Sequence, residues 1–169
     1  MKRYSFAASL ALAVLAVLSL AGPVAAGEQV PFKGSLEGEA VSIVDEFPLR
    51  HVLVEGTGKA THLGEFTFAF PHTVHLPTRT AVGTYHIVAA NGDKLTASGT
   101  GLSTPTIIDG VFYLAIVEEM IVDPALSTGR FAGATGSFTV ERLFNPGTSL
   151  TIGSFNGTIS SPGDDDDDD

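Results

Sequence analysis

The sequence contains no cysteine among its 169 residues. Without a thiol the chain can form no disulfide, and it has no cysteine to which a lipid could be attached. A chain exported to an oxidising compartment in this form must be held together by its own core. We therefore expect a domain large enough to bury a substantial apolar interior.

Basic residues are also scarce, because nine Lys and Arg stand against 19 Asp and Glu, which gives a formal net charge of −10. Two of the nine basic residues, Lys2 and Arg3, lie at the start of the chain, and six of the acidic residues form the run Asp164–Asp169. This charge repels polyanions. We expect no nucleic-acid partner and no attachment to an anionic membrane surface.

Residues 1–26 have the composition of a secretory signal peptide. Lys2 and Arg3 precede an apolar stretch, and small residues lead up to Ala26. The apolar stretch is short for a membrane span, which needs about 20 residues. We expect cleavage near Ala26, no membrane anchor after cleavage, and a secreted or periplasmic protein. Its seven basic and 19 acidic residues would give a net charge of −12.

No window after residue 27 has apolar residues at helical spacing, whereas apolar residues recur at every second position up to residue 160. This period is typical of β-strands. In the first stretch, Phe32, Leu36 and Ala40 share one face, and Lys33 and Glu37 share the other. Eight strands are predicted, near residues 32–44, 50–58, 62–70, 81–90, 93–103, 110–121, 136–145 and 149–160.

Two of these segments have features of their own. Asn91-Gly92 separates two alternating runs and predicts an antiparallel hairpin over residues 83–103, because a type I′ turn needs positive φ at both central positions. Residues 111–120 are almost wholly apolar, which indicates a strand buried on both faces or one that lines a filled barrel.

Eight strands separated by short turns favour an all-β domain, an eight-stranded antiparallel barrel, over a sandwich. Closure removes the exposed strand edges, and glycines inside the strands allow a tightly curved sheet. The predicted organisation is a signal peptide over 1–26, one barrel domain over 27–160, and an acidic tail over 161–169. The tail is expected to be disordered, because its like charges repel one another.

The segment Gly129-Arg130-Phe131-Ala132-Gly133-Ala134-Thr135-Gly136 has glycines like a phosphate-binding loop, but it leads into a strand and not a helix. It resembles the "GTGRF-x-x-A-x-G" segment of dirigent proteins and the "G-G-x-G-x-F-x-G-x-x-G" segment of allene oxide cyclases. Residues 60–67, 89–93 and 153–159 are similar to segments of exported bacterial proteins of that barrel superfamily, whose function is unknown. We expect Phe131 to plug the barrel at a glycine-rich corner.

The resemblance implies an allene oxide cyclase/dirigent-like barrel, often trimeric in the plant relatives, with an apolar cavity for a small hydrophobic substrate. A homo-oligomer and a small hydrophobic ligand are therefore expected. The plant cyclases use a first-strand glutamate and a cavity cysteine. This chain has Glu37 and Glu39 in that region but no cysteine, and the dirigent aspartates and arginine have no aligned counterparts here.

The polar residues expected to enter such a cavity are Glu37, Tyr85 and Tyr113, which are the candidate catalytic residues. The alternation nevertheless favours the solvated outer face for Glu37. Phe66, Phe68 and Phe112 are the candidate ligand-binding residues. If they and Phe138 instead fill the barrel, no room remains for a ligand.

No metal site and no cofactor are expected. His72 and His75 are three positions apart and would face opposite sides of an extended strand. No serine-nucleophile motif of the Gly-x-Ser-x-Gly type is present. Two functions remain open from the sequence. One is a non-catalytic secreted barrel that binds an apolar ligand or acts as an extracellular interaction module. The other is an enzyme of the cyclase or dirigent type, acting on a lipid or phenolic intermediate.

Overall fold

The structure is a computed structural model that describes residues 27–160 and residue 162. The predicted signal peptide over 1–26 lies outside the described residues. So does the predicted tail over 161–169, apart from Pro162.

The described chain forms one closed antiparallel barrel, in which each strand pairs with its neighbours in sequence and β1 pairs with β8. This confirms the predicted all-β, eight-stranded architecture, and each predicted strand has its counterpart. The strands are β1 (Gln29–Glu46), β2 (Leu49–Ala60), β3 (Gly64–His75), β4 (Thr80–Ala89), β5 (Lys94–Ile108), β6 (Val111–Val122), β7 (Gly136–Asn145) and β8 (Leu150–Ser160).

Alternation along the strands separates the interior from the outer surface. In β1, Phe32, Leu36 and Ala40 are buried while Lys33 and Glu37 are exposed, as the sequence pattern predicts. In β6 the alternation is clear from Val117 to Val122, where every second residue is buried, whereas residues 113–116 are all half-buried. The strand therefore lines the inside of the barrel on one face only, and the interpretation of a strand buried on both faces is wrong.

The predicted hairpin over residues 83–103 is confirmed, because β4 and β5 pair as antiparallel neighbours. The turn between them differs from the expected type I′, since of its residues only Gly92 has a positive φ, of 94°. The amide of Gly92 donates to the carbonyl oxygen of Ala89 at 2.9 Å, and the amide of Ala89 donates to that of Asp93 at 2.9 Å. The connection is thus a β-turn followed by one glycine in the left-handed region.

One end of the barrel, which we name the closed end, carries the β2–β3, β4–β5 and β6–β7 connections. The β6–β7 connection contains a short 3-10 turn, Gly129–Phe131, and its Phe131 side chain is fully buried. Leu63 and Ala134 are buried beside the same interior. The glycine-rich segment is therefore the corner that plugs this end.

Aromatic side chains fill the interior next to the closed end. The Phe32 ring centroid lies 5.2 Å from that of Phe138 and 5.0 Å from that of Phe155. Phe66 packs on the same group, with its centroid 6.2 Å from that of Phe155. Rings at these separations attract one another in addition to burying apolar area. This half of the barrel is a packed core.

The opposite end, which we name the open end, carries the four turns that join β1 to β2, β3 to β4, β5 to β6 and β7 to β8. At the closed end most inward apolar residues are buried, and only Val30 and Ala60 at its edge are partly exposed. The apolar residues that continue the inner face at the open end are all partly buried. They are Val52, Val74, Leu114, Ile116 and Phe144.

We expect Phe131→Ala to lower the free energy of unfolding by about 3–5 kcal/mol, because it leaves a cavity where a ring is completely buried. Urea denaturation monitored by circular dichroism measures this change. Phe47→Ala is the control, since that side chain is 83% exposed and its loss should change stability by no more than about 0.5 kcal/mol. Equal midpoints for Phe131→Ala and the native chain would reject the plug.

Candidate functional site

An acidic residue faces the interior of the barrel on β6. Glu118 and Met120 are buried, whereas Val117, Glu119 and Ile121 are exposed, so the even-numbered residues of this strand point inward. The Glu118 side chain is only 2% exposed. A carboxylate so deeply buried needs hydrogen-bond donors or a cation beside it.

Two side chains from other strands meet that requirement. Tyr85 on β4 donates a hydrogen bond from its hydroxyl to Oε2 of Glu118 at 2.9 Å. Arg142 on β7 donates from Nη2 to Oε1 at 2.8 Å and from Nε to both carboxylate oxygens at 3.2 Å. The three residues form what we name the buried polar cluster. Its one negative and one positive charge cancel.

His72 on β3 faces the same interior and is less buried than the three residues of the cluster. Its ring stacks on Phe70 with centroids 4.5 Å apart, and Phe70 stacks on Tyr85 with centroids 3.9 Å apart. The guanidinium carbon of Arg142 lies 5.6 Å from the centroid of Phe70. Phe70 thus packs against His72, Tyr85 and Arg142 and holds these three side chains in one layer.

Three inward-facing residues of this layer, His72, Glu118 and Arg142, are each paired with a glycine on one of their two neighbouring strands. The missing side chain leaves the room that the larger one occupies. A Cβ on Gly83 would lie 2.5 Å from the Cβ of His72, and a Cβ on Gly153 would lie 2.6 Å from the Cβ of Arg142. The pairs are His72 with Gly83, Glu118 with Gly101, and Arg142 with Gly153.

Burial determines the protonation state of two of these groups. Burial first, and the neighbouring Glu118 charge second, raise the pKa of Tyr85 well above its usual value of 10.0, so the phenol stays neutral. Burial first, and the Arg142 charge second, lower the pKa of His72 below its usual value of 6.5. At neutral pH His72 is therefore uncharged.

The structure brings only one of the three candidate catalytic residues to this layer. Tyr85 lies in the buried polar cluster. Glu37 is exposed on the outer face of β1, in a shallow depression around the waist of the barrel. Tyr113 has the parity of the outward residues of β6 and is half-buried there. The alternation of each strand thus separates Glu37 and Tyr113 from the interior.

The candidate ligand-binding residues are also divided between two environments. Phe66 and Phe68 are buried in the interior, where they pack on other aromatic rings and fill space. Phe112 continues the inner face of β6 beyond the open end and is half-exposed. Of Phe66, Phe68 and Phe112, only Phe68 contacts a residue of the cluster, with its ring centroid 5.7 Å from that of Tyr85.

Sequence reasoning missed Glu118, Arg142 and His72. A signal for them was present in the sequence, because each occupies a position at which the alternation of its strand predicts an inward-facing apolar residue. Glu118 is in phase with Ile116 and Met120. The other two interrupt similar runs, Arg142 between Val140 and Phe144 on β7, and His72 after Phe66, Phe68 and Phe70 on β3. A charged residue in phase with a buried face indicates an interior partner.

Within residues 27–160 and 162, no three His, Asp or Glu side chains are grouped so that they could hold a metal ion. His75, the second histidine of the Phe-Pro-His-Thr-Val-His segment, instead makes a 2.8 Å hydrogen bond between Nδ1 and Oγ1 of Thr78. His72 and His75 thus have different surroundings.

No helix in the described part of the chain is both long and apolar enough to span a membrane.

No protein-family model matches the chain, and comparisons with curated proteins and with solved structures find no match either. The resemblance to allene oxide cyclases and dirigent proteins stays a prediction from the sequence segments.

We expect Arg142→Met to lower the free energy of unfolding by about 3–5 kcal/mol, because it leaves the Glu118 carboxylate buried without its counter-charge. Adding Glu118→Met should restore part of that loss, since the double variant buries no charge. Urea denaturation of the two single variants and the double variant measures the coupling. If the double loss equals the sum of the single losses, the two residues do not act as a pair.

The lowered pKa of His72 makes stability depend on pH. As the pH falls through 6.5, the unfolded histidine takes up a proton that the folded one resists, so stability is lost towards acid and levels off below the folded pKa. We expect His72→Asn to reduce this loss when urea midpoints are compared from pH 8 to pH 5. His86→Asn, on the exposed face of β4, controls for removing an imidazole. The same pH dependence in His72→Asn and the native chain would contradict this role.

Proposed function

We propose that this chain is a secreted β-barrel protein that binds a small apolar ligand at the open end of the barrel. The observation that carries the proposal is the difference between the two ends. At the closed end most inward apolar residues are buried behind Phe131, and only Val30 and Ala60 at its edge are partly exposed, while the apolar wall residues at the open end are all half-buried. Apolar side chains that face inward and still meet solvent are available to a ligand.

The composition of the open end supports an apolar and uncharged ligand. Its walls are the apolar residues Val52, Val74, Leu114, Ile116 and Phe144, and its floor is the buried polar cluster with His72. The charges of Glu118 and Arg142 neutralise each other, so the floor presents no net charge to a ligand. A few fixed polar groups below apolar walls are typical of small-molecule sites.

Catalysis of the allene oxide cyclase or dirigent type is the second candidate, and the convergence of Tyr85, Glu118 and Arg142 is the observation in its favour. The hydrogen bonds of the cluster favour binding instead. The Tyr85 hydroxyl donates to Glu118, and Glu118 is held by Arg142. The carboxylate oxygens of Glu118 are thus already engaged as hydrogen-bond acceptors, and a tyrosine with a raised pKa is a weak acid.

An extracellular interaction module is a variant of the proposal, and exposed apolar residues support it. Phe47 and Ile107, in the two hairpins that extend from the open end, are 83% and 73% exposed. Val82 and Leu102 are exposed side by side on the outer face of β4 and β5, where a second copy of the chain could pack. Export itself rests on the signal-peptide pattern of residues 1–26.

We expect the native chain to bind the neutral dye N-phenyl-1-naphthylamine with increased fluorescence, and Ile116→Trp to weaken that binding by about tenfold or more. The indole would occupy the open end, because Ile116 lies on the inner face of β6. Titration of the dye into each protein measures the dissociation constants. The control is Ile121→Trp, the same change on the same strand but on the outer face, where the side chain is 67% exposed.

Two results would contradict the proposal. Absence of dye binding to the native chain would show that the open end is not a site for apolar ligands of this size. Equal weakening by Ile116→Trp and Ile121→Trp would place the dye elsewhere on the barrel.

A further inference from the structure

His72 differs from the other polar residues of the interior in its access to solvent. Tyr85, Glu118 and Arg142 are buried, whereas His72 is half-buried at the border between the polar floor and the apolar walls of the open end. On β2 its partner across the ladder is Val52, one of the wall residues. A ligand that enters the open end therefore meets His72 before it meets the cluster.

The hydrogen bond of one ring nitrogen fixes the tautomer of His72. Nδ1 lies 3.1 Å from the backbone carbonyl oxygen of Phe70. A carbonyl oxygen can only accept, so Nδ1 carries the hydrogen. In the neutral ring the other nitrogen, Nε2, then has a lone pair and no hydrogen. Nε2 is thus a hydrogen-bond acceptor.

The neighbours of His72 keep it neutral. The charged or titratable groups that face it are Arg142 from β7, Glu118 from β6 and Tyr85 from β4, and Phe70 stacks on its ring. Burial and the Arg142 charge outweigh the attraction of Glu118 and lower the pKa of His72. The acceptor character of Nε2 therefore persists through the neutral pH range.

Nε2 has no hydrogen-bond donor within the part of the chain that the structure describes. The bond from Nδ1 to Phe70 is the hydrogen bond of this ring, and Nε2 is not among the buried polar atoms without a partner. The atom is therefore not shut off from solvent, and because His72 faces the interior and Phe131 plugs the closed end, the open end is the side from which it can be reached. An acceptor held in one tautomer and one orientation selects for a donor on whatever binds there.

We propose that Nε2 of His72 accepts a hydrogen bond from a hydroxyl group of the ligand, so that the open end selects apolar molecules that carry a hydroxyl. This inference rests on the proposed ligand-binding function. A ligand with only an ether or carbonyl oxygen would set its lone pairs against that of Nε2. A carboxylate would meet the same lone pair, and an ammonium group, although a donor, would lose its hydration with no free anion to offset that cost, because Glu118 is already paired with Arg142.

Three naphthalene probes of nearly equal size test this selectivity. 2-Naphthol has a hydroxyl donor, 2-methoxynaphthalene has only an acceptor, and 2-naphthoate has a negative charge. Each is titrated against N-phenyl-1-naphthylamine bound to the full chain at pH 7.5. Because one net hydrogen bond contributes about 0.5–1.5 kcal/mol, we expect 2-naphthol to bind about two- to tenfold more tightly than 2-methoxynaphthalene. 2-Naphthoate should bind most weakly.

His72→Asn is the decisive variant, because an asparagine amide can still donate to the Phe70 carbonyl but has no acceptor at the position of Nε2. We expect the preference for 2-naphthol to disappear while the affinity for 2-methoxynaphthalene stays the same. His86→Asn, on the outer face of β4, should keep the preference. A ¹⁵N spectrum of the native chain gives a second readout that needs no variant, since 2-naphthol should shift the Nε2 resonance and 2-methoxynaphthalene should not.

The outcomes separate this inference from the proposed function. Equal affinity of the native chain for 2-naphthol and 2-methoxynaphthalene, or a preference that survives in His72→Asn, overturns the role of His72 and leaves ligand binding intact. Tightest binding of 2-naphthoate overturns it as well, because the site would then recognise charge. Failure of the dye and all three probes to bind removes the proposed function and this inference with it.

Discussion

The pairing of β1 with β8, from Gln29–Ser160 to Glu39–Leu150, turns an eight-stranded sheet into a barrel. That closure decides which face of each strand lies inside the barrel and which lies outside. In an open sheet, the two faces of a strand differ only by what covers them. Once the sheet closes, one face of all eight strands must share a single narrow interior. The alternation of apolar and polar residues then decides which side chains share it.

The interior is divided into two layers, one stabilised by apolar packing and the other by a hydrogen-bonded ion pair. Near the closed end, Phe32, Phe138 and Phe155 pack against one another, and Phe131 covers them. This layer contributes stability through apolar burial and through contacts between aromatic rings. The next layer contains an ion pair, whose desolvation cost is offset only because the carboxylate of Glu118 accepts several hydrogen bonds.

Glycine makes the second layer sterically possible. The interior of an eight-stranded barrel has little space, so a large polar side chain on one strand needs a small residue beside it on one neighbouring strand. Gly83, Gly101 and Gly153 each lie across the ladder from one of the ionisable residues. Glycines that the sequence pattern links to sheet curvature therefore also make room for the polar layer. The same layer forms the floor of the open end, so the stability of the barrel and the proposed ligand binding depend on the same contacts.

The sequence by itself determined the eight strands, their order and the plug at Phe131. Alternation with a period of two and turn residues are local features, which depend only on residues close together in the sequence. It did not determine which ionisable side chains meet. His72, Tyr85, Glu118 and Arg142 come from four strands, and only the closed barrel brings them together in its interior. The strand parity that points Glu118 inward also points Tyr113 outward, and Glu37 lies on the outer face of β1 for the same reason. Local pattern fixes the direction of a side chain along its own strand, whereas contact between strands distant in sequence is decided by closure and register, which only the tertiary structure contains.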